Sequence, residues 1–80
     1  MPGPLKTLVE TLVRGLVQDP SQASVEEWTE EGVVHFDVVV SERDRGRVIG
    51  RQGRTADALR DVIEAVGRRR GVECDLEIMD

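Results

Sequence analysis

The sequence VIGRQGRT, residues 48–55, places two glycines three positions apart near the middle of the chain. Arg51 and Gln52 lie between Gly50 and Gly53. With 8 glycines among 80 residues, chance gives about one such pair, so the surrounding residues carry the interpretation. Glycine adopts backbone angles that other residues rarely reach, and without a Cβ atom it lets another backbone approach closely. The stretch therefore predicts a small exposed loop at a joint between two elements.

Positive charge is concentrated around this loop, although the chain as a whole is acidic. The formal net charge is -5. Residues 43–54 hold five arginines and one aspartate, a local charge of +4, so the other residues together carry -9. An acidic total argues against a nucleic-acid coat over the whole surface and against an anionic membrane as partner.

Helical patterns flank the loop on both sides. Residues 43–49 predict a short helix ending at Gly50, and residues 54–70 predict a longer helix closed by Gly71. The predicted buried stripe of the longer helix is Leu59, Val62, Ile63 and Val66. The amides that begin this helix would favour an anion, because the helix dipole is positive there.

The outer surface of the longer helix carries charges at helical spacing. Arg60 with Glu64, and Glu64 with Arg68, are predicted i,i+4 ion pairs. Residues 68–70 are three arginines in the last turn, where the helix dipole favours cations. The same three arginines could contact phosphates, and both interpretations fit the sequence equally well.

Three segments are predicted to be strands: 24–31, a short polar edge strand; 33–40, after a turn at Gly32; and 72–78. Alternation gives the last two an apolar face each. The inward residues are Val34, Phe36, Val38 and Val40 in one strand and Val72, Cys74, Leu76 and Ile78 in the other. Glu73, Asp75 and Glu77 are predicted to face water.

Residues 4–18 predict an amphipathic helix with Pro4 at its first position. Its stripe is Leu5, Leu8, Val9, Leu12, Val13, Leu16 and Val17. Its polar face carries Lys6 and Arg14 against Glu10, whereas membrane-surface helices are richly basic, so packing on a sheet is favoured.

The element order is helix, strand, strand, short helix, long helix, strand. Because each inner strand has one apolar face, we expect an α+β two-layer sandwich, with three helices on one face of a three-stranded mixed sheet. One domain should span residues 1–80. Trp28 and Phe36 are the large rings available to its core. Trp28 could instead stack on a base, but a partly buried core position is favoured.

The sequence offers no set of catalytic groups. His35 and Cys74 are the single residues of their types, there is no Tyr, and no nucleophile with a base and an orienting group can be named. His35 is expected on the open sheet face and Cys74 in the core. The loop lacks the Lys-Ser/Thr ending of a P-loop. We therefore expect neither an enzyme nor a metal or cofactor site, and the lack of a secretory signal predicts a cytoplasmic location.

Arg47, Arg51 and Arg54 surround the loop, and this setting suits a phosphate backbone. On geometry alone, a tight helix-helix turn with solvated arginines is the other interpretation. With a strand before it and a helix on each side, VIGRQGRT resembles the nucleic-acid-binding loop of KH domains, which clamps about four nucleotides. The whole chain is similar to the small stand-alone bacterial KH proteins of the KhpA family, with a type II arrangement. Residues 49–53 match that family's loop position by position.

The resemblance implies binding of single-stranded RNA. The implied site residues are Arg47, Ile49, Gly50, Arg51, Gln52, Gly53, Arg54 and Thr55. The bases would lie in an apolar groove between the helices and the edge of strand 72–78. The candidates to line it are Ile49, Thr55 and Leu59, with a wholly buried core position as the alternative for Leu59. The resemblance also implies an RNA chaperone or post-transcriptional regulator.

Small KH proteins are also expected to pair, either as a homodimer or with a larger KH-containing protein. The N-terminal helix or the polar edge strand could supply the surface, and pairing would raise avidity. The alternative function is therefore a dimerisation module with a KH-like fold and little RNA binding of its own.

Overall fold

The computed structural model describes residues 3–80. Its elements are α1 (Pro4–Leu16), β1 (Ser24–Glu30), β2 (Val33–Val39), α2 (Glu42–Ile49), α3 (Arg54–Arg69) and β3 (Glu73–Ile78). The strand order is β1-β2-β3, with β1 antiparallel to β2 and β2 parallel to β3. The predicted α+β fold with the order α-β-β-α-α-β and a mixed sheet is confirmed. Within residues 3–80, no helix combines the length and apolar character needed to cross a bilayer.

The hairpin between β1 and β2 is closed by the two residues Glu31 and Gly32. Both have positive φ, 51° and 81°, as the common two-residue hairpin turn requires. The turn sets Glu30 opposite Val33, and this register puts Trp28 opposite His35. The register therefore decides which β1 side chains reach the core.

The core lies between the sheet and the three helices. The helices contribute Leu5, Val9, Val13, Val48, Leu59 and Ile63, and the sheet contributes Val25, Phe36, Val38, Cys74 and Leu76. Cys74 is buried as expected, and loss of solvation raises the pKa of its thiol. A buried thiol with a raised pKa is a weak nucleophile, so Cys74 serves as a small apolar side chain.

Trp28 is not part of the core, and the expectation for it was wrong. Val25 and Trp28 have opposite parity along β1, so only one of them can face the helices. Val25 does, and Trp28 is 42% exposed on the open sheet face. There the indole stacks on His35, with ring centroids 4.1 Å apart, and its Nε1–H donates to Asp37 Oδ2 at 3.0 Å. His35 lies on the open face, as predicted.

Three expectations for α3 were also wrong. Val62 is 45% exposed rather than buried, because the buried side of α3 is formed by Ala56, Leu59, Ile63 and Gly67. Arg60 pairs with Asp57, Nη1 to Oδ1 at 3.0 Å, and not with the predicted partner Glu64. The side chain of Arg60 therefore points toward the start of the helix. The predicted pair of Glu64 with Arg68 does not form within residues 3–80 either.

Helix α1 is two residues shorter than predicted. It ends at Leu16, and the following backbone N–H groups of Gln18 and Asp19 each donate to a carboxylate oxygen of Asp44 at 3.0 Å. These bonds join the end of α1 to the first turn of α2.

Candidate nucleic-acid interface

The two glycines form the joint between α2 and α3, as the sequence predicted. We call residues 50–53 the glycine loop. Gly50 has φ 78° and ψ 171°, a conformation that is essentially restricted to glycine. Gln52 and Gly53 have φ 56° and 75° and lie in the left-handed region. This backbone turns the chain within four residues, so α3 begins shortly after the end of α2.

Gly50 is also required by close packing. A Cβ atom at Gly50 would lie 2.7 Å from the Cβ and 2.9 Å from the backbone nitrogen of Thr55, and closer still to its hydroxyl oxygen. Gly53 has nothing within 4 Å of the same position. Close contact with the first turn of α3 therefore requires glycine at position 50, whereas only the backbone angles favour glycine at position 53.

The loop presents its polar side chains to solvent. Arg51, Gln52 and Arg54 are exposed, and Arg54 Nη2 donates to Gln52 Oε1 at 3.1 Å. Arg47 is also exposed, and its Nε lies 3.9 Å from Asp44 Oδ1. The loop and the helix ends beside it therefore carry three exposed arginines, with one carboxylate next to them.

The backbone around the loop leaves the start of α3 open. Gly53 N–H donates to Gly50 O at 3.1 Å, which closes the turn. Gly53 is the N-cap residue of α3 and contributes no side-chain hydrogen bond to the helix. The first turn of a helix carries amides without intrahelical partners and the positive end of the dipole, so this position favours an anion.

Asp44 holds the loop-bearing helix in place, a role that was not predicted from the sequence. It is buried and accepts hydrogen bonds from the Gln18 and Asp19 amides and the Ser41 hydroxyl. The Gln18 amide is the main cause that lowers the pKa of the Asp44 carboxyl. Ser41 accepts from Asp44 N–H, so the Ser-x-x-Asp spacing, a known helix-start pattern, could have indicated part of this role.

Thr55 and Leu59, which were predicted to line a base groove beside β3, line an apolar groove of about 410 Å³ between α1 and α3. Leu59 is also buried in the core. The other lining residues are Thr11, Leu12, Gly15, Leu16, Ala58 and Val62. We call this the α1/α3 groove. Ile49, the third residue predicted to line the base groove, is partly exposed at the end of α2.

The free edge of β3 is contacted by Arg60, which the sequence analysis did not include in the site. Arg60 Nε donates to the carbonyl oxygen of Leu76 at 2.9 Å. On α2, the Nε atom of Arg45 is buried and has no hydrogen-bond partner among residues 3–80. Each of the two helices that the glycine loop connects therefore carries one further arginine, and hydrogen bonds hold the one on α3.

The arginines at residues 68–70 lie at the far end of α3 and are exposed. Arg69 lies fifteen positions after Arg54 in the helix, or about 22 Å at 1.5 Å per residue. These arginines therefore form a positive region that is distinct from the glycine loop.

Comparison with known proteins agrees with this fold. The family described as "KhpA/KhpB, KH domain" matches residues 6–78. The chain is 40% identical to the RNA-binding protein KhpA of Halalkalibacterium halodurans over 76 residues, which cover 95% of this chain and all of that protein. It is 37% identical to the RNA-binding protein KhpA of Clostridium acetobutylicum over 75 residues, which cover 94% and 100% of the two chains.

A solved structure shows the same fold at low sequence identity. A variant of Era from Aquifex aeolicus, bound to GDP·AlF4⁻, superposes with a TM-score of 0.58 at 19% identity. The match covers 98% of this chain and 31% of the Era chain, so it concerns one part of that protein. Together with the match over residues 6–78 and the curated relatives, the order of elements and the glycine loop show that the chain belongs to the KhpA/KhpB KH-domain family.

Proposed function

We propose that this chain acts as a single KH domain that binds single-stranded RNA through the glycine loop. The observation that carries the proposal is the loop itself, which exposes Arg51 and Gln52 between two glycines at the uncapped start of α3. The names of the relatives, RNA-binding proteins, support the same ligand. The chain would be a binding protein without a cofactor and not an enzyme.

The geometry suits a clamp on the sugar-phosphate backbone. Arg47, Arg51 and Arg54 can neutralise phosphates, and the dipole of α3 adds a favourable field at the same place. The open sheet face suits RNA poorly, because Glu73, Asp75 and Glu77 are exposed there. RNA would therefore bind on the helical side of the molecule, with its backbone at the loop.

The clamp is short, and this limits affinity. A KH loop holds about four nucleotides, so only a few phosphates would be neutralised. We expect micromolar or weaker binding by a single chain. Weak binding through the sugar-phosphate backbone suits an RNA chaperone or post-transcriptional regulator in the cytoplasm.

The double variant Arg51→Asp with Gln52→Asp tests the proposal. Both side chains are exposed, so the fold should survive, while the charge of residues 43–54 falls from +4 to +1. RNA binding should be lost with thermal unfolding unchanged. A matched control, Arg69→Asp with Arg70→Gln, changes the net charge by the same three units at the far end of α3 and should bind normally. Undiminished binding by the folded loop variant would refute the proposal, and loss in the control would move the site to residues 68–70.

The α1/α3 groove favours a second candidate function, self-association. Its lining is almost wholly apolar, and Val62 stands exposed at its border. A second copy covering this groove would bury Val62 and bring two glycine loops into one assembly, which would raise avidity for RNA. Light scattering should then give twice the 8.9 kDa chain mass for the wild type. The variant Val62→Glu should give the mass of a single chain. A wild-type protein that stays monomeric at high micromolar concentration would exclude this function.

A further inference from the structure

Arg60 bridges α3 and the free edge of β3. Directly after β3, Met79 N–H donates to Val38 O, so the backbone groups of Met79 point toward β2. Backbone groups alternate in direction along a strand, and those of Leu76 and Ile78 therefore point away from the sheet. Arg60 Nε–H satisfies the Leu76 carbonyl at 2.9 Å, and its Nη1–H donates to Asp57 Oδ1 at 3.0 Å.

These two hydrogen bonds fix the guanidinium and leave some of its N–H donors without a partner. Arginine has five N–H donors, and two of them are engaged here. Nη2 makes no hydrogen bond within the described part of the chain, residues 3–80, and the side chain is 35% exposed. The guanidinium is therefore held at two points on a partly exposed side chain and keeps further N–H donors, including those of Nη2, for a ligand.

The position of Arg60 relative to the loop is set by α3. It lies six residues after Arg54, about 9 Å along the helix axis. Thr55, Ala58 and Val62 occupy the opposite flank of α3, in the α1/α3 groove. Arg60 therefore lies on the β3 side, within the reach of four nucleotides, which extend about 10 Å or more when stacked at 3.4 Å.

We infer that Arg60 is a specificity-determining residue that selects guanine among the bases carried by a strand held at the glycine loop. This inference rests on the proposed function. Guanine presents O6 and N7 as two neighbouring acceptors, which match the parallel donors of a guanidinium. Adenine has the same N7 but an amino donor in place of O6, and this donor would oppose Arg60. In a single strand these base edges are free to be read.

The test compares two nine-nucleotide RNAs, A9 and (AAG)3, neither of which can pair with itself. Wild-type protein should bind (AAG)3 about tenfold more tightly than A9, within the range of one good bidentate contact. Arg60→Lys keeps the charge but loses the fork. It should bring the ratio close to one, while its affinity for A9 stays within twofold of the wild type.

A second measurement leaves the protein unchanged. Replacing guanine by 7-deazaguanine in (AAG)3 removes the N7 acceptor, and wild-type protein should then bind this RNA no better than A9. A wild-type ratio near one, an unchanged ratio in Arg60→Lys, or full binding of the 7-deaza RNA would each overturn the inference and leave the loop clamp intact. Failure of wild-type protein to bind either RNA would overturn the clamp and this inference together.

Discussion

Replacing Gly50 by alanine should destabilise the protein more than the same change at Gly53. Both glycines have positive φ, but their surroundings differ. The new Cβ at Gly50 would meet the Thr55 side chain and backbone at 2.9 Å or less, whereas at Gly53 it would meet open space. Comparing the two variants therefore separates the stability lost to the backbone angles from the stability lost to the contact with Thr55.

The magnitudes follow from these two terms. Alanine at the glycine-only angles of Gly50 costs about 1–3 kcal/mol. Crowding against Thr55 adds about 1–3 kcal/mol. Gly53→Ala carries only the left-handed backbone cost of about 1–2 kcal/mol. A chain of 80 residues has about 4–12 kcal/mol in total, so Gly50→Ala removes a large share of it.

Thermal unfolding followed by far-UV circular dichroism measures the difference. One kcal/mol shifts Tm by about 4–8 °C in a domain of this size. Gly50→Ala should therefore melt at least about 4 °C below Gly53→Ala. Adding Thr55→Ala removes the nearest atom and should recover part of the loss in Gly50→Ala. Equal Tm values for the two single variants would refute the packing explanation of Gly50.

Three further outcomes are expected. Hydrogen bonds, above all from the Gln18 amide, lower the pKa of the Asp44 carboxyl in the folded state. The stability that the carboxylate contributes is therefore present above its unfolded pKa of 3.8 and is lost as the pH falls through the folded-state pKa. Below pH 4, Tm should drop less steeply in Asp44→Asn than in the wild type. Gly67→Ala should lower Tm by about 4 °C or more, since its Cβ would lie 2.6 Å from Cys74 Sγ. Gly46→Ala should raise Tm, because its Cβ would meet nothing within 4 Å and alanine favours a helix more than glycine does. If two to four phosphates are held, the logarithm of the RNA association constant should fall with the logarithm of salt concentration with a slope of about -1.5 to -3, and a slope near zero would contradict a phosphate clamp.

Local patterns were sufficient to predict the elements of the fold. Alternation located β2 and β3 to within one residue at each end, because each strand has one buried face. The same rule could have placed Trp28 correctly. Val25 and Trp28 differ in parity, so a strand through both must expose one of them, and the hairpin register exposes Trp28. The error came from weighing residue type above parity.

The site was predictable only where its geometry is local. The glycine joint and its exposed arginines depend on neighbouring residues, and they lie where the sequence placed them. Arg60 and Asp44 depend instead on partners 16 and 26 residues away, Leu76 and Gln18. Helical spacing proposed Glu64 as the partner of Arg60, but the unpaired carbonyl at the edge of β3 binds its Nε instead. Periodicity along one helix carries no information about a strand edge that packs beside it.

The acidic sheet face has a consequence for the approach of a charged ligand. Its strands project Glu26, Glu30, Asp37, Glu73, Asp75 and Glu77, while the exposed arginines of the glycine loop lie in the helical layer. The electric field of a polyanion exerts a torque on a molecule whose charges are distributed so asymmetrically. It turns the loop toward the polyanion and the sheet away before the two surfaces touch. Productive encounters then make up a larger share of all collisions, and because salt weakens this orientation within about 10 Å, added salt should slow association more than it speeds dissociation.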